Sequence, residues 1–268
     1  MIFEDDELLA VSKPPDLRVH PVHRFEGGSL LNRAAAHLGG VVPFIVHRLD
    51  QDTSGVTLLV KAHALAAPIS EAFAAKRVAK EYLAICLGVP PARRFSVDAP
   101  IARHPRHAPA RQLAGGEGSK EARTDCTVEA LRPAQPGRPA ACVVRARPLT
   151  GRTHQIRLHL AAAGVPIIAD TFYGPEDEEL AAAALQPADA PAIIGRQALH
   201  AAALALAHPI SGAALRFEAG LPDDMAAAAD LLGLRPGCAD ALAALPEHAV
   251  LDWAQGTTVA IKHKRALD

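Results

Sequence analysis

Apolar residues in this chain fall mostly in short runs bounded by turn residues, and only a few stretches repeat at helical spacing. The start reads as a turn followed by the strand LLAVSK at 8–13, which Pro14 and Pro15 end. Residues 17–23 read as extended chain broken by Pro21. Ser29 can cap a helix whose Leu30, Leu31, Ala34 and Leu38 lie near helical spacing, with Gly39 and Gly40 as its stop. VVPFIVHRLD at 41–50 is an apolar segment running into the polar turn DQDTSG, and GVTLLVK beyond it reads as a strand. Leu65, Ile69 and Phe73, four apart, predict a short helix in which Pro68 is tolerable only near the start. EYLAICLG at 81–88 predicts a strand with Tyr82, Ala84 and Cys86 on one face.

Residues 103–120, rich in Pro, Gly, Arg and His, read as a long loop or hairpin extension. ACVVRAR is a strand, and PLTGRTHQIRLHLAAAGVP reads as turn, helix and stop, with Thr153 as the cap and Gly164 and Pro166 ending it. Residues 180–192, rich in Ala and Pro, read as surface. LHAAALALAHPISGAALRFEA predicts two strands joined by a turn at 209–212, and Met225–Leu232 a last short helix. No pattern stands out beyond residue 235. Mixed helices with several strand–turn–strand units make an α+β protein with a largely antiparallel sheet.

Composition narrows the chemistry only a little. At 268 residues the chain can bury one large core or two smaller ones. Its formal net charge of -1 neither favours nor excludes nucleic acid, because a near-neutral sum can hide an uneven distribution. Basic residues gather at 143–159 (Arg145, Arg147, Arg152, Arg157) and acids at 176–179 and 223–230, so one face could be basic. The cysteines, Cys86, Cys126, Cys142 and Cys238, form no CxxC pair, which speaks against zinc and iron–sulfur sites. Cys86 and Cys142, in apolar strand-like runs, read as buried thiols. The acidic N-terminus is no signal peptide, and no apolar run reaches the length of a membrane span, so a cytoplasmic location with no membrane partner is expected.

Phosphate-loop, dinucleotide, zinc-protease and serine-hydrolase motifs are missing. What remains are polar residues in apolar settings: His47, Arg48 and Asp50; Lys80 and Tyr82; Arg152, His154, Gln155 and Arg157; Asp170 and Tyr173. HRLDQDTSG at 47–55, KEYLAICLG at 80–88 and PLTGRTHQIRLHLAAAGVPIIADTFYG at 148–174 resemble, in order, three motifs of the RluA-type family of pseudouridine synthases. The flanks DELLAVSKPPDLRVHP at 6–21, SKEART at 119–124 and LHAAALALAHPISG at 199–212 agree, and the match runs from residue 1 to about 233. Two departures concern turns: Pro15-Asp16 replaces the usual small residue and Gly after Lys-Pro, and Ala169 replaces the Gly before Asp170.

The resemblance implies a pseudouridine synthase fold, with flanking helices and a catalytic cleft between two subdomains of one catalytic domain. That domain would span residues 1–234, with no separate N-terminal RNA-binding domain and a C-terminal extension of unknown role at 235–268. It implies isomerisation of uridine to pseudouridine in structured ribosomal or transfer RNA, with no cofactor, no metal and a monomeric enzyme. Asp50 would be the nucleophile, since a carboxylate can bond to carbon and leave again. Arg157 would pair with Asp50 and keep it ionised. Tyr82 would stack on the flipped uracil and help move the proton lost from C5. Arg48 would fill the gap left by the extruded nucleotide, and His47, Arg152, His154 and Gln155 would line the substrate site, with His47 open between contacting RNA and orienting the loop.

Taken alone, each residue has a plainer use: Asp50 as a turn cap, Arg157 as a solvated helix residue, Tyr82 as one more half-buried aromatic in a strand. Other readings of the chain are an inactive RNA-binding protein of the same fold, a hydrolase using Asp50 with His47 or His154 as base, and a structural ribosome-associated factor.

Overall fold

The computed structural model describes residues 1–21, 27–104, 112–114, 118–174, 194–234 and 239–252. The chain divides into two units, one of Met1–Tyr82 with His200–Leu221 and one of Leu83–Leu199 with Pro222–Asp268. The stretch at 180–192, the acids at 176–179 and Cys238 lie outside the described residues.

The first unit is a sheet with a helix packed on each face. Its strands are β1 (Phe3–Glu4), β2 (Leu8–Lys13), β3 (Phe44–Ile45) and β4 (Ser54–Val60), with β11 (Leu199–Ala207) and β12 (Ala214–Glu218) returning late in the chain. β2 and β4 pair antiparallel from Leu8↔Val60 to Lys13↔Gly55. β4 and β11 pair in parallel at His200↔Ser54 and Ala201↔Gly55. β11 and β12 form the hairpin that the turn at 209–212 predicts. Period-two alternation sends Leu8, Ala10, Val56, Leu58 and Val60 toward Leu65 and Ile69 of helix α2 (His63–Ala74). Leu9 and Leu59 pack on the other face with Leu30 and Ala34 of helix α1 (Leu30–His37). Burial on both faces explains why β4 is apolar throughout, for all seven of its residues are buried.

α1 starts where expected. Ser29 accepts from the Asn32 N–H, and the Asn32 side chain returns a bond to the Ser29 backbone. α2 corrects the expectation for Pro68, which sits well inside the helix rather than near its start. Pro68 and Ala64 are both exposed. The carbonyl that loses its partner to the proline therefore faces water, and the cost is small.

In the second unit the long antiparallel pair β9 (Arg123–Arg132) and β10 (Ala141–Pro148) is the centre. β6 (Arg94–Asp98) joins β9 antiparallel. β5 (Ala79–Leu87) starts in the first unit, and its second half lies beside β10. Cys86, Cys126 and Cys142 are buried free thiols. Burial raises the Cys86 thiol well above its ordinary value, and its hydrogen bond with Cys142 adds to this. The region 103–120 is a hairpin in part: β7 (Ile101–Arg103) pairs antiparallel with β8 (Gln112–Ala114).

Two boundaries differ from those read in the sequence. Helix α3 (Gln155–Ala162) is capped by His154, which adopts a left-handed φ of 57° and makes no side-chain cap bond, so Thr153 is not the cap. Beyond α4 (Asp223–Leu231) the patternless tail contains a short helix α5 (Ala239–Ala243) and a strand β13 (His248–Asp252) parallel to β6. Val250 on β13 is 59% exposed, and none of the strand's described side chains is fully buried. Backbone pairing holds it, together with ion pairs from Arg93 and Arg94 to Glu247 just before it.

Asp16 and Ala169, the two turn departures noted in the sequence, both have positive φ, 54° in each. The backbone bends as a glycine would there. Asp tolerates this conformation, and its carboxylate accepts from Gln51 Nε2 at 2.8 Å. Ala169 has no such return. Ala169→Gly removes roughly 1–2 kcal/mol of left-handed strain against roughly 0.4–1 kcal/mol of added chain freedom in the unfolded state. Urea unfolding should show a higher midpoint, and a lower one would mean that the Ala169 methyl contributes more by packing than it costs in strain.

Candidate active site

In the first unit the chemistry gathers around one turn. Asp50 is half-buried, and its carbonyl accepts from the Thr53 N–H at 3.1 Å, closing residues 50–53 into a turn. Exposure alternates before it, with Arg48 exposed and Leu49 buried in the core beside α1. Arg48 therefore stands at the surface two residues from Asp50.

The turn is tied down on both sides. Lys13, wholly buried, donates from Nζ at 2.8 Å to the carbonyls of Pro14, Leu17 and Gln51. Leu17 N–H also reaches the Gln51 carbonyl, at 3.3 Å. The Gln51 side chain accepts from Arg18 Nε at 3.0 Å and donates to Asp16. On the far side, Gly55 has φ +115° and lies against the Ala201 backbone. A side chain there would overlap the Ala201 carbonyl, so the HRLDQDTSG turn must end in glycine.

His47 holds the approach to this turn. Its Nε2 accepts from the Leu58 N–H at 2.8 Å, and its ring stacks on Phe73 at 4.8 Å. Burial, with the Lys80 charge adding, pulls its pKa down to about 4, so the ring is neutral at pH 7. These contacts join the approach of the turn to β4 and α2. Tyr82 packs against the α1 side of the core. Burial raises its phenol well above the ordinary range, and the nearby Asp50 charge raises it further. Tyr82 therefore carries its proton and lies within the electrostatic reach of Asp50. Burial also lowers the Lys80 ammonium.

In the second unit α3 is buried all round, from Gln155 to Leu160. Each of its polar residues has dedicated partners. Gln155 Oε1 accepts from the Thr150 hydroxyl and the Arg152 N–H, and Nε2 donates to the Arg123 carbonyl and Thr124 Oγ1. These bonds hold its amide on the helix entrance. His159, which the sequence did not single out, bridges Thr124 Oγ1 and the Ala99 carbonyl.

Arg157 is 3% exposed and forms a two-pronged ion pair with Asp170, Nε to Oδ2 at 2.6 Å and Nη2 to Oδ1 at 2.7 Å. This rules out a solvated helix arginine. Asp170 Oδ1 also accepts from the Phe172 and Tyr173 amides. Burial alone would raise the Asp170 carboxyl, but the Arg157 bonds and charge, with these amides, bring it below its usual value. The Arg157 guanidinium lies 5.5 Å from the Phe172 ring centre and 5.3 Å from that of Tyr173. His154 shares a hydrogen bond with the Tyr173 hydroxyl at 3.0 Å. Arg152 is exposed, with Nε on the Glu121 carbonyl.

The basic run at 143–159 is not a uniform cationic surface. Arg145 pairs with Glu129 and Arg157 is buried on Asp170, while Arg147 and Arg152 are exposed. Among the described residues no group of His, Cys, Asp and Glu is arranged to hold a metal ion, and no helix is long and apolar enough to cross a membrane.

The sequence profile of the RNA pseudouridylate synthase family matches residues 7–162, which include the Asp50 turn, Tyr82 and Arg157. The chain belongs to this family. The RluA-type resemblance of its motifs and the α+β fold stand with that membership. A protein of Nitrosomonas europaea named ribosomal large subunit pseudouridine synthase D is 39% identical over 232 residues, 85% of this chain and 63% of that one. Proteins of the same name from Vibrio parahaemolyticus and Zymomonas mobilis are 33% and 35% identical, over 87% and 84% of this chain and 70% of each of theirs. The chain thus spans roughly two thirds of the length of these relatives. Among solved structures, human RNA pseudouridylate synthase domain containing 1 superposes with a TM-score of 0.66 at 25% identity, covering 92% of this chain and 95% of that one. Human RNA pseudouridylate synthase domain containing 4 matches in fold with the same TM-score at 24% identity, covering 87% and 93%.

Asp170 and Tyr173 lie beyond the profile match, yet Asp170 fixes the orientation of Arg157. Replacing Asp170 by Asn leaves a buried guanidinium without its counter-charge. Breaking such a pair costs about 3–5 kcal/mol, so urea unfolding should show a loss of that order. A change under about 1 kcal/mol would show that Arg157 finds another anion.

Proposed function

We propose that this chain isomerises uridine to pseudouridine in ribosomal RNA, with Asp50 as nucleophile. The observation that carries the reading is the fixed turn that presents a half-buried carboxylate beside a protonated Tyr82. The names of the relatives favour large-subunit ribosomal RNA as substrate over transfer RNA.

In the proposed reaction the target uridine leaves its stack, because C1' and C5 are hidden within it. The Asp50 carboxylate bonds to the nucleotide as the glycosidic bond breaks, and it departs after the base has turned and rejoined through C5. Tyr82 offers its ring to the flipped base. While Asp50 is charged, that charge opposes ionisation of the phenol. Tyr82 already carries a proton, so its hydroxyl is proposed to help move the C5 proton as a relay, handing its own proton on to solvent as it receives the one leaving C5. Arg157, oriented by Asp170, is the cation proposed to keep Asp50 ionised. Arg48, exposed two residues upstream, is proposed to stack in the gap left by the base, and Arg152 and His154 to contact RNA. The enzyme is proposed to work as a cytoplasmic monomer.

Asp50→Asn preserves shape and removes the nucleophile. Release of tritium from C5-labelled large-subunit ribosomal RNA should vanish while the circular dichroism spectrum is unchanged. Activity within about tenfold of the unaltered chain, or roughly 1.4 kcal/mol of barrier, would rule out this mechanism.

Arg48→Ala should reduce activity on folded RNA by an amount matching the few kcal/mol of base extrusion. The loss should be smaller on RNA whose target uridine is already unstacked. Lys should rescue poorly, since it keeps the charge and loses the stacking plane. Equal losses on both RNAs with full rescue by Lys would reduce Arg48 to a phosphate contact.

A further inference from the structure

Ser54 and His200 meet in the core of the first unit, 146 residues apart in sequence, with Ser54 Oγ 2.9 Å from His200 Nδ1. They are 2% and 1% exposed. His200 Nε2 lies 3.1 Å from the Ala219 carbonyl oxygen. A carbonyl only accepts, so Nε2 carries the ring hydrogen. In the neutral ring Nδ1 is then an acceptor, and the Ser54 hydroxyl donates to it. With the ring neutral, the direction of both bonds follows from one carbonyl.

The location gives this chain of bonds its meaning. Ser54 and His200 are opposite residues in the parallel β4–β11 ladder, one step before Gly55 and Ala201 make their close approach. Ser54 directly follows Thr53, which is 2% exposed and whose N–H closes the Asp50 turn. Lys13 and Leu17 hold the start of the turn through the Gln51 carbonyl. On the other side the side-chain anchor is the Ser54 hydroxyl on His200.

We infer that Ser54 and His200 are positioning residues for the nucleophile, a buried relay through which β11 and Ala219 fix the end of the Asp50 turn. The inference rests on the reading of Asp50 as nucleophile. Near-attack geometry is demanding, and a displacement of about 1 Å can cost about 100-fold in rate. Loosening one end of the turn should therefore lower the rate of the chemical step without weakening RNA binding.

The experiment pairs an activity readout with one that does not need activity. Single-turnover rates at saturating C5-tritiated large-subunit ribosomal RNA are measured for Ser54→Ala, His200→Ala, His200→Asn and Ser54→Ala with His200→Asn. Amide exchange at Thr53 is followed by NMR in the same proteins, and the 15N shifts of the His200 ring report its tautomer. Asp50→Asn serves as the control for the nucleophile reading. The expected result is hydrogen on Nε2 in the unaltered chain. Ser54→Ala and His200→Ala should slow the reaction 10- to 100-fold with unchanged RNA affinity, and Thr53 exchange should speed up by a similar factor. His200→Asn, whose amide oxygen can take the place of Nδ1, should retain more activity than His200→Ala, and adding it to Ser54→Ala should cost little more.

A ring hydrogen on Nδ1 overturns the assigned relay. Folded variants with unchanged rate and unchanged Thr53 exchange reduce the pair to core packing and overturn the positioning role. Fully additive losses in the double variant would show that the residues act separately. Where His200→Ala does not fold, His200→Asn and Ser54→Cys carry the same test. An active Asp50→Asn protein would defeat the nucleophile reading instead, whatever the exchange data show about the relay.

Discussion

A cation with no access to water has to be surrounded by oxygen, and Lys13 meets that demand by gathering backbone. Desolvating an ammonium costs several kcal/mol even after relaxation, so its three carbonyl partners are held as firmly as the charge itself. Those carbonyls belong to Pro14, Leu17 and Gln51, which joins the end of β2, the loop beyond it and the turn of the nucleophile. Lys13 also sits opposite Gly55 in the β2–β4 ladder, and Gly55 is opposite Ala201 in β11. One row across three strands thus locates the Asp50 turn, with the ammonium at one end of the row and the glycine contact at the other. The backbone of residue 50 has little room to move, and the freedom that remains is that of its side chain.

Much of this was legible in local sequence. Alternation marked β2 and β5, Ser29 marked the start of α1, and the polar interruption DQDTSG marked the turn between apolar runs. The partners of the turn were not legible, because each lies far away in sequence or uses backbone. His200 is 146 residues from Ser54, and nothing in LHAAALALA distinguishes a buried hydrogen-bonding histidine from any other residue of a strand. Lys13 read as the polar end of a strand, since a lysine's default place is at the surface. Its SKPP setting was the available signal, for two prolines in a row fix the chain direction just where its carbonyls must turn inward. β13 escaped notice because its order comes from backbone pairing and from Glu247, while His248 and Val250 stay exposed.

The helix α3 shows how misleading residue type can be for function. Arg157, Gln155 and His159 have the look of substrate contacts, three polar residues within five positions. All three are buried and hydrogen-bonded to named partners: Gln155 to Thr124, Arg157 to Asp170 and His159 to Ala99. An apolar helix could fill the same volume more cheaply in desolvation terms, so the polar choice has to be explained by what it orients. Gln155 fixes the helix entrance against β9, and His159 joins β9 to the end of β6. Arg157 is the member that pairs with a buried carboxylate. Its Nε and Nη2 are committed to Asp170, and the plane of the guanidinium is thereby set.

The two units therefore present different kinds of order. In the first, strands and a buried ammonium fix a backbone turn, and the reactive group is a short side chain with one torsion between Cα and the carboxylate carbon. In the second, a carboxylate fixes a long side chain whose own rotamer freedom would otherwise blur its position. In each unit the charged group is held by partners of its own, so neither position depends on the freedom of an exposed side chain. Asp16 shows that the turn tolerates change when its backbone path is preserved. Asp16 keeps φ at 54° and adds an oxygen for Gln51 to hold. What the turn requires at that position is the direction of the chain, and a residue that adopts this φ at low cost supplies it.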